Sequence, residues 1–351
     1  MARGQKRRSG SSQTSPGLRI QQFIGSLHVF EGVSRHAILA LLFFLPYKRR
    51  KNIDRWLRGR GEYRKLHRAD WLLISWGKSG RTWLRVMLSR VYQRKYGFPE
   101  NTMLDFDNLN RIHAEAPKVF FTHGNYLRDY TGHGYDTKVD FLGKKIVFLV
   151  RDPRDVAVSQ FFQWKYRMRP QKKRLNDYPP HKSEVDVFDF VMNPEQGLPR
   201  IISYFNAWLE WIPQIGDVLI VRYEDMRTDP GEVLRKILEF TGTPVSAEDI
   251  CDAVDFAAYD NLKKMEEKST FSLFSTGWRL IPGDRKNPDS FKVRRAKVGG
   301  YRDYFTDEQV AEIDAMVDAD LLPQIGYTRG EKGMPGGKPG VSDAQAQSIR
   351  N

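Results

Sequence analysis

A strand, a short loop and a helix at residues 71–92 constrain the fold more than any other feature of this chain. The first five residues, WLLIS, are largely apolar and bounded by turn residues, which is typical of a buried strand. From Thr82 onward, apolar residues recur at helical spacing. A loop at a helix N-terminus offers free backbone N–H groups and the positive end of the helix dipole to an anion. Because Lys78 and Arg81 add full charges, the loop predicts a site for a phosphate or sulfate ester.

Further apolar runs alternate with helical patterns along the chain. The predicted strands are Val119–Thr122, Lys145–Val150 and Val218–Val221, and the predicted helices are Pro153–Arg167, Leu198–Trp211 and Pro230–Thr241. This alternation predicts a three-layer α/β fold with a mainly parallel central sheet flanked by helices. Ligands of such folds bind at the carboxyl ends of the strands, where the 77–81 loop would lie as a P-loop-like element. A later helix is predicted to begin after Thr306, with Gln309 completing a capping box.

The 77–81 loop departs from the Walker A pattern of nucleotide kinases. That pattern requires a glycine five residues before its Gly-Lys pair, where this chain has Leu72. A nucleotide kinase, which would also need a carboxylate that binds Mg²⁺, therefore stays only an alternative. Taken alone, the loop is also compatible with an ordinary turn that carries a solvated lysine.

The charge balance indicates an anionic partner. The 351 residues carry a formal net charge of +14 at pH 7, which suits a nucleotide, an acidic glycan, an anionic lipid or a nucleic acid. The cations cluster at strand ends, whereas a nucleic-acid-binding module, the non-enzymatic alternative, would spread them over one face among exposed aromatic residues. The single cysteine, Cys251, is expected to be a small buried hydrophobe in a cytosolic protein. Neither a Cys/His cluster nor an H-E-x-x-H motif indicates a metal ion.

The chain is expected to consist of four regions. Residues 1–18 are basic and predicted to be disordered, as are residues 328–351. Residues 69–327 would form the main domain. Residues 19–68, which precede the main domain, are expected to form a basic, amphipathic helical segment. In it an apolar patch, Ala37–Pro46, precedes a dense basic run. The patch is shorter than the roughly 20 residues that span a bilayer. It is expected either to lie on an anionic membrane surface or to pack on the main domain.

Two later segments again combine cations with a helix start or a glycine turn. A predicted strand delivers Arg151 to its carboxyl end, and Ser159 follows about two helical turns later. The planar guanidinium suits a bidentate contact with phosphate, although a surface salt-bridge cluster is the alternative. The late segment places Arg294 and Arg295 before Gly299, whose conformational freedom allows the backbone to close around a ligand. Any basic turn would show the same local pattern.

Together and in this order, the three segments resemble one family. The loop GKSGRTW, a strand-borne arginine with a serine eight residues later, and a late Arg-Arg segment before Gly and Phe-Thr are similar to motifs of the PAPS-dependent sulfotransferases. The resemblance spans roughly residues 70–325. It implies transfer of a sulfuryl group from 3'-phosphoadenosine 5'-phosphosulfate (PAPS) to a hydroxyl or amine of an acceptor. The nucleotide product would be adenosine 3',5'-bisphosphate (PAP), and no metal would be needed.

The resemblance also implies a role for each motif residue. The 5'-phosphosulfate would be held by Lys78, Ser79, Gly80, Arg81 and Thr82. The 3'-phosphate would be held by Arg151, Ser159, Arg294, Arg295 and Gly299. The adenine would lie between Trp83 and Tyr259, with Tyr223 at its edge. The residues implied in the reaction itself are Lys78 at the leaving group, Ser159, and His123 as the general base.

Three positions depart from the family pattern. These are Arg81, where the family usually has Thr, Phe121, where it has a Lys, and Ala296, where it has a Gly. Because Phe121 lies two residues before His123, a carboxylate such as Asp105 or Asp107 is the alternative base.

The acceptor is predicted only by class. The segments Asn101–Asn110 and Lys165–Lys182 are expected to wall its pocket, and the stretch 168–182 is expected to be a mobile surface loop. Their basic and aromatic content suits a glycan or a lipid head group. With the apolar patch, this favours a glycolipid or another membrane-associated acceptor and a cytoplasmic enzyme peripheral to the inner membrane face.

Overall fold

The computed structural model describes residues 33–268, 271 and 280–329. The predictions for residues 1–18 and for the tail from residue 330 onward lie outside these residues. The strands are β1 (Trp71–Ser75), β2 (Val119–Thr122), β3 (Ile146–Val150) and β4 (Val218–Arg222). After a helical stretch at residues 33–41, the helices up to β4 are α1 (Tyr47–Arg68), α2 (Arg81–Tyr96), α3 (Leu127–Thr131), α4 (Pro153–Phe162), α5 (Pro170–Leu175), α6 (Val187–Met192) and α7 (Leu198–Ile215). After β4 follow α8 (Tyr223–Thr228), α9 (Pro230–Phe240), α10 (Ala247–Phe256), α11 (Tyr259–Lys268) and α12 (Asp307–Asp320).

The four strands form one sheet in the order β2-β1-β3-β4. Strands β3 and β4 are parallel, with Ile146 opposite Val218 and Val150 opposite Arg222. Every residue of β1 and of β3 is buried, which explains why both strands have continuous apolar sequences. The predicted α/β fold with a parallel sheet flanked by helices is confirmed.

Three local predictions are wrong. Strand β4 lies at the edge of the sheet, so Ile220 is 37% exposed although a buried strand was expected. Cys251 is exposed, because it lies on the outer side of α10 while Ala253 faces inward. The 168–182 stretch is not simply a surface loop, since it contains α5 and buries Lys173.

Helix termini near the site follow their sequence signals. Helix α4 begins with the Asp152 carboxylate accepting the backbone N–H of Arg154, and Pro153 is its first residue. The predicted helix over 153–167 changes at Gln163 into one turn of π-helix. Helix α12 begins with the predicted capping box of Thr306 and Gln309.

The chain divides into two compact units. The first contains the described parts of residues 1–72, 82–132 and 244–282, and with them α1 and β2. The second contains residues 73–81 and 133–243 and the described part of residues 283–351, and with them β3 and β4.

Within the first unit, α1 packs closely on α3. A Cβ atom added at Gly59 of α1 would lie 2.2 Å from the carbonyl oxygen of Tyr126, so only glycine allows this approach. Arg55 donates to both carboxylate oxygens of Asp129 at 2.9 and 3.0 Å. The basic segment therefore packs on α3 through Arg55 and Gly59 of α1. Among the described residues, no helix combines the length and the apolar character that crossing a membrane would require.

Candidate functional site

The 77–81 loop has an unusual backbone that explains its sequence. Lys78 and Gly80 have φ angles of +73° and +92°, in the left-handed region. A Cβ atom at position 80 would lie 2.5 Å from Cδ2 of Tyr223, so the ring of Tyr223 packs directly on the loop. A left-handed lysine in a tight loop stores backbone strain, which is commonly found at ligand sites. The structure thus brings together Gly80 and Tyr223, two residues predicted to bind the nucleotide that lie far apart in the sequence.

Ser79 fits the loop to an oxyanion. The residue is fully buried, and its Oγ atom has no hydrogen-bond partner among the described residues. A buried hydroxyl without a partner costs about 1–3 kcal/mol, so such groups call for an explanation. An oxygen of a bound phosphate or sulfate ester would satisfy this hydroxyl.

Arg151 joins the first and the late motif segments of the second unit. Its Nη1 donates to the carbonyl oxygen of Lys78 at 3.3 Å, and its Nη2 donates to that of Lys297 at 3.2 Å. Its Cζ atom lies 4.4 Å from the ring centroid of Tyr223. The guanidinium therefore lies where the 77–81 loop, the late basic segment and Tyr223, a predicted adenine residue, meet.

Asp155 is a site residue that sequence reasoning missed. Its Oδ2 accepts the backbone N–H of Gly299 and its Oδ1 accepts that of Tyr301, each at 2.9 Å. The same carboxylate pairs with Arg151 at 3.3 Å. Burial raises the pKa of the Asp155 carboxyl, while Arg151 and the two backbone donors act in the opposite direction. Asp155 thus ties the glycine turn of the late segment to Arg151. The alternative interpretation, a surface salt-bridge cluster, does not fit, because Asp152, Arg154 and Asp155 are buried.

Arg294 and Arg295 converge on Tyr304. The Nη1 atoms of the two arginines donate to the Tyr304 hydroxyl at 2.5 and 3.1 Å, respectively. The Cζ atom of Arg294 also lies 3.7 Å from the ring centroid of Phe162. Phe162 follows Ser159 by three residues on α4, so the stacked arginine lies near the helix face that carries Ser159. Gly299 and Ala296 both have positive φ angles, of 69° and 49°.

Arg81 ends the stretch 73–81 of the second unit, whereas the other remaining predicted site residues, Thr82 among them, belong to the first unit. Trp83 and Tyr259, at the starts of α2 and α11, are both half-buried. His123 follows β2 directly and is also half-buried, in a turn where Gly124 N–H donates to the Thr122 hydroxyl at 2.8 Å. Their assignment to adenine binding and to proton transfer stays a prediction.

The two alternative bases are already ion-paired. Asp105 lies 3.3 Å from Nη1 of Arg85, and Asp107 is buried against Arg68 and Arg111 at 3.1 and 2.9 Å. Protonation of either carboxylate would weaken an existing ion pair. This arrangement favours His123 over both. Within the described residues, no group of three or more His, Cys, Asp or Glu side chains is arranged to hold a metal ion.

Comparison with known proteins identifies the class. The sequence model of the sulfotransferase domain family matches residues 132–326, more than half of the chain. Flavonol 3-sulfotransferase of Flaveria bidentis is 26% identical over 270 residues, which are 73% of this chain and 83% of that protein. Sulfotransferase 2A1 of Homo sapiens is 24% identical over 265 residues, 73% of this chain and 86% of that protein. A mouse sulfotransferase crystallised with PAP superimposes with a TM-score of 0.49 at 21% identity, covering 74% of this chain and 89% of that one.

The chain belongs to the sulfotransferase domain family. It is an enzyme of sulfuryl transfer, and the resemblance drawn from the sequence motifs is confirmed. The alternatives of a nucleotide kinase and of a nucleic-acid-binding protein are set aside by this result. The family match contains Arg151 and Ser159 but begins after Lys78 and His123, whose roles therefore rest on the motif resemblance and the geometry.

Proposed function

We propose that the enzyme transfers the sulfuryl group of PAPS to a hydroxyl group of its acceptor. One observation carries the site assignment: Arg151 donates to the carbonyl oxygens of both Lys78 and Lys297, so the segments implied for the two ends of the nucleotide meet at one guanidinium. Flavonol and steroid sulfotransferases are among the relatives, and one solved neighbour was crystallised with PAP, the product of PAPS. Several relatives from Arabidopsis thaliana are named cytosolic, in agreement with a cytosolic enzyme.

The second unit would hold the two charged ends of the nucleotide. Arg151 and Arg294 offer planar donors for the 3'-phosphate, with the Ser159 hydroxyl on the intervening helix. Ser79 and the left-handed 77–81 loop would hold the phosphosulfate, with Lys78 next to the oxygen that bridges phosphorus and sulfur. These residues fit the donor because buried polar groups in this region, Ser79 Oγ and Arg151 Nε, have no hydrogen-bond partner among the described residues.

The proposed reaction is a displacement at sulfur. A bond forms between the acceptor oxygen and sulfur, while the bond between sulfur and the bridging oxygen breaks. His123 would accept the acceptor's proton, because a neutral imidazole has one ring nitrogen that can accept it. Lys78 would stabilise the charge that develops on the departing phosphate. PAP then leaves with the electron pair of the broken bond, and the sulfated acceptor is the second product.

Two substitutions separate these roles. Lys78→Ala should reduce turnover with every acceptor, because the leaving group is common to all. His123→Ala should reduce turnover by about 10²–10⁴-fold, the usual contribution of a general base, and less for a phenol than for an alcohol. The measurement is sulfate transfer from labelled PAPS to a flavonol, a steroid and a glycolipid, with PAP affinity recorded for each variant. Near-normal turnover by His123→Ala would refute its role as the base.

We further propose that the natural acceptor is membrane-associated. The proposal is based on an exposed apolar surface near the N-terminus. The N-terminal apolar patch comprises Val33, Ile38, Leu41, Phe43, Phe44 and Tyr47. Its most exposed members are Phe43, Leu41 and Phe44, at 75%, 74% and 68%. Lys48 and Arg49, also exposed, follow it directly. Apolar rings bordered by cations suit an anionic lipid surface, and a glycolipid or lipid-linked saccharide would be presented there.

The way the patch is attached supports this proposal. Residues 33–41 are helical, and Arg35 donates to Asp54 of α1 at 3.1 Å. A polar side of this helix is thus bound to the domain, while its large apolar side chains stay exposed. An amphipathic helix that served only for packing would show the opposite arrangement.

A further inference from the structure

Three buried polar residues form a row along one face of α2. Arg85, Ser89 and Gln93 are four residues apart, so they lie one above another on the helix. They are 2%, 0% and 3% exposed. Polar side chains are rarely buried to this extent unless they bind specific partners.

All three residues bind the segment 100–105. Gln93 Nε2 donates to the carbonyl oxygens of Glu100 and Thr102, at 3.0 and 2.8 Å. The Ser89 hydroxyl accepts the backbone N–H of Leu104 at 2.9 Å. At the end of the row, Arg85 Nη1 donates to the carbonyl oxygen of Leu104 at 2.9 Å and to the Asp105 carboxylate at 3.3 Å. The segment expected to wall the acceptor pocket has no helix or strand of its own and is held instead by these side chains.

Arg85 also contacts the strand that carries the proposed base. Its Cζ atom lies 3.7 Å from the ring centroid of Phe121, so the guanidinium is stacked on the ring. Phe121 belongs to β2, which ends one residue before His123. One side chain thus connects the helix that begins at the phosphosulfate loop, the 100–105 segment and the strand that leads to His123.

We propose that Arg85 is a positioning residue for the acceptor side of the reaction. It fixes Phe121, and through it His123, relative to the 100–105 segment. The proposal rests on the proposed function, because it requires His123 to act on the acceptor hydroxyl. Phe121 is partly exposed whereas Arg85 is inaccessible, so an acceptor would meet an aromatic ring with a positive charge behind it.

Hydrogen–deuterium exchange of Arg85→Met and of a matched control tests the positioning directly. The control is Arg94→Met, because Arg94 lies on the same helix and its ion pairs are with Glu248, Asp249 and Asp252, outside both segments. Arg85→Met should increase exchange in both 100–105 and 119–123 and lower kcat more than tenfold. Its affinity for PAP should stay within about twofold of wild type, since Arg85 is not among the residues assigned to the nucleotide. Arg94→Met should leave the exchange of both segments, kcat and the affinity for PAP unchanged.

Two further variants keep the test decisive. Arg85→Lys retains the charge and a donor for Leu104 but lacks the planar stack, so it should restore the protection of 100–105 and only part of kcat. Phe121→Leu removes the ring alone and should lower kcat even if Arg85→Met does not fold. Unchanged exchange in 119–123 for Arg85→Met, or an equal loss of kcat in Arg94→Met, overturns the proposal. A failure of the proposed function would appear separately, as wild-type protein that neither binds PAP nor transfers sulfate, while the exchange results would stay interpretable.

Discussion

At the scale of single residues, the proposed phosphate site is held together by contacts between segments that lie far apart in the sequence. The strand ends and the glycine-containing loop could be recognised from apolar runs followed by cations. The role of Asp155 could not, because its partners Gly299 and Tyr301 lie 144 and 146 residues further along the chain. Nor could spacing show that the ring of Tyr223 excludes any side chain at Gly80.

Ala296 provides a residue-scale prediction about strain. Its φ of +49° is in the left-handed region, which costs an L-residue roughly 1–2 kcal/mol and costs glycine little. Ala296→Gly should therefore stabilise the protein by about 0.5–1 kcal/mol after the larger entropy of the unfolded glycine chain is subtracted. Urea denaturation would measure this change in the free energy of unfolding. Ala311→Gly, at an exposed position inside α12, should instead destabilise by about 1 kcal/mol. Changes of the same sign in both variants would contradict the strain argument.

At the scale of elements, the sequence predicts the positions of the strands more accurately than it predicts their exposure to solvent. All four strands match to within one residue at each end, because short apolar runs between turn signals have few alternatives. The partial exposure of β4 depends on the strand order, which a local pattern does not contain. Helix α5 was missed because its sequence, PQKKRL, is basic, and Lys173 is buried only through tertiary contacts such as the Trp164 ring 4.9 Å away.

The N-terminal apolar patch provides the prediction at the element scale. Wild-type protein should sediment with vesicles that contain anionic lipid, and binding should weaken at high salt because the cationic contribution is screened. Replacing Phe43 and Phe44 by Ser should weaken binding by at least about tenfold, since a buried Phe contributes roughly 1.5–3 kcal/mol. Leu142→Ser, at an exposed leucine outside the patch, is the control.

The opposite result is equally informative. If wild-type protein ignores anionic vesicles at low salt, the patch is not a lipid surface. Size-exclusion chromatography of the double variant would then show whether the patch joins two copies of the chain.

At the scale of the whole molecule, the strand order explains how distant motifs form one site. Strands β1 and β3 are neighbours in the sheet, so the loop after β1 and Arg151 after β3 emerge side by side. The late basic segment is then fixed to the same place by Asp155. The sequence contains the three motifs in order, and the pairing of β1 with β3 in the sheet places the first two next to each other.

The central claim is that this site recognises the 3'-phosphate of the nucleotide, and calorimetric titration tests it most directly. Wild-type protein should bind PAP far more tightly than AMP, which lacks that phosphate. Arg151→Ala should weaken PAP binding roughly ten- to a hundredfold, as expected for the loss of a charge-assisted contact, and should affect AMP much less. Arg200→Ala, which removes a guanidinium lying 3.7 Å from the Tyr135 ring centroid, should leave both affinities unchanged. Equal titration curves for PAP and AMP, or an Arg151→Ala protein that binds PAP like wild type, would contradict the account.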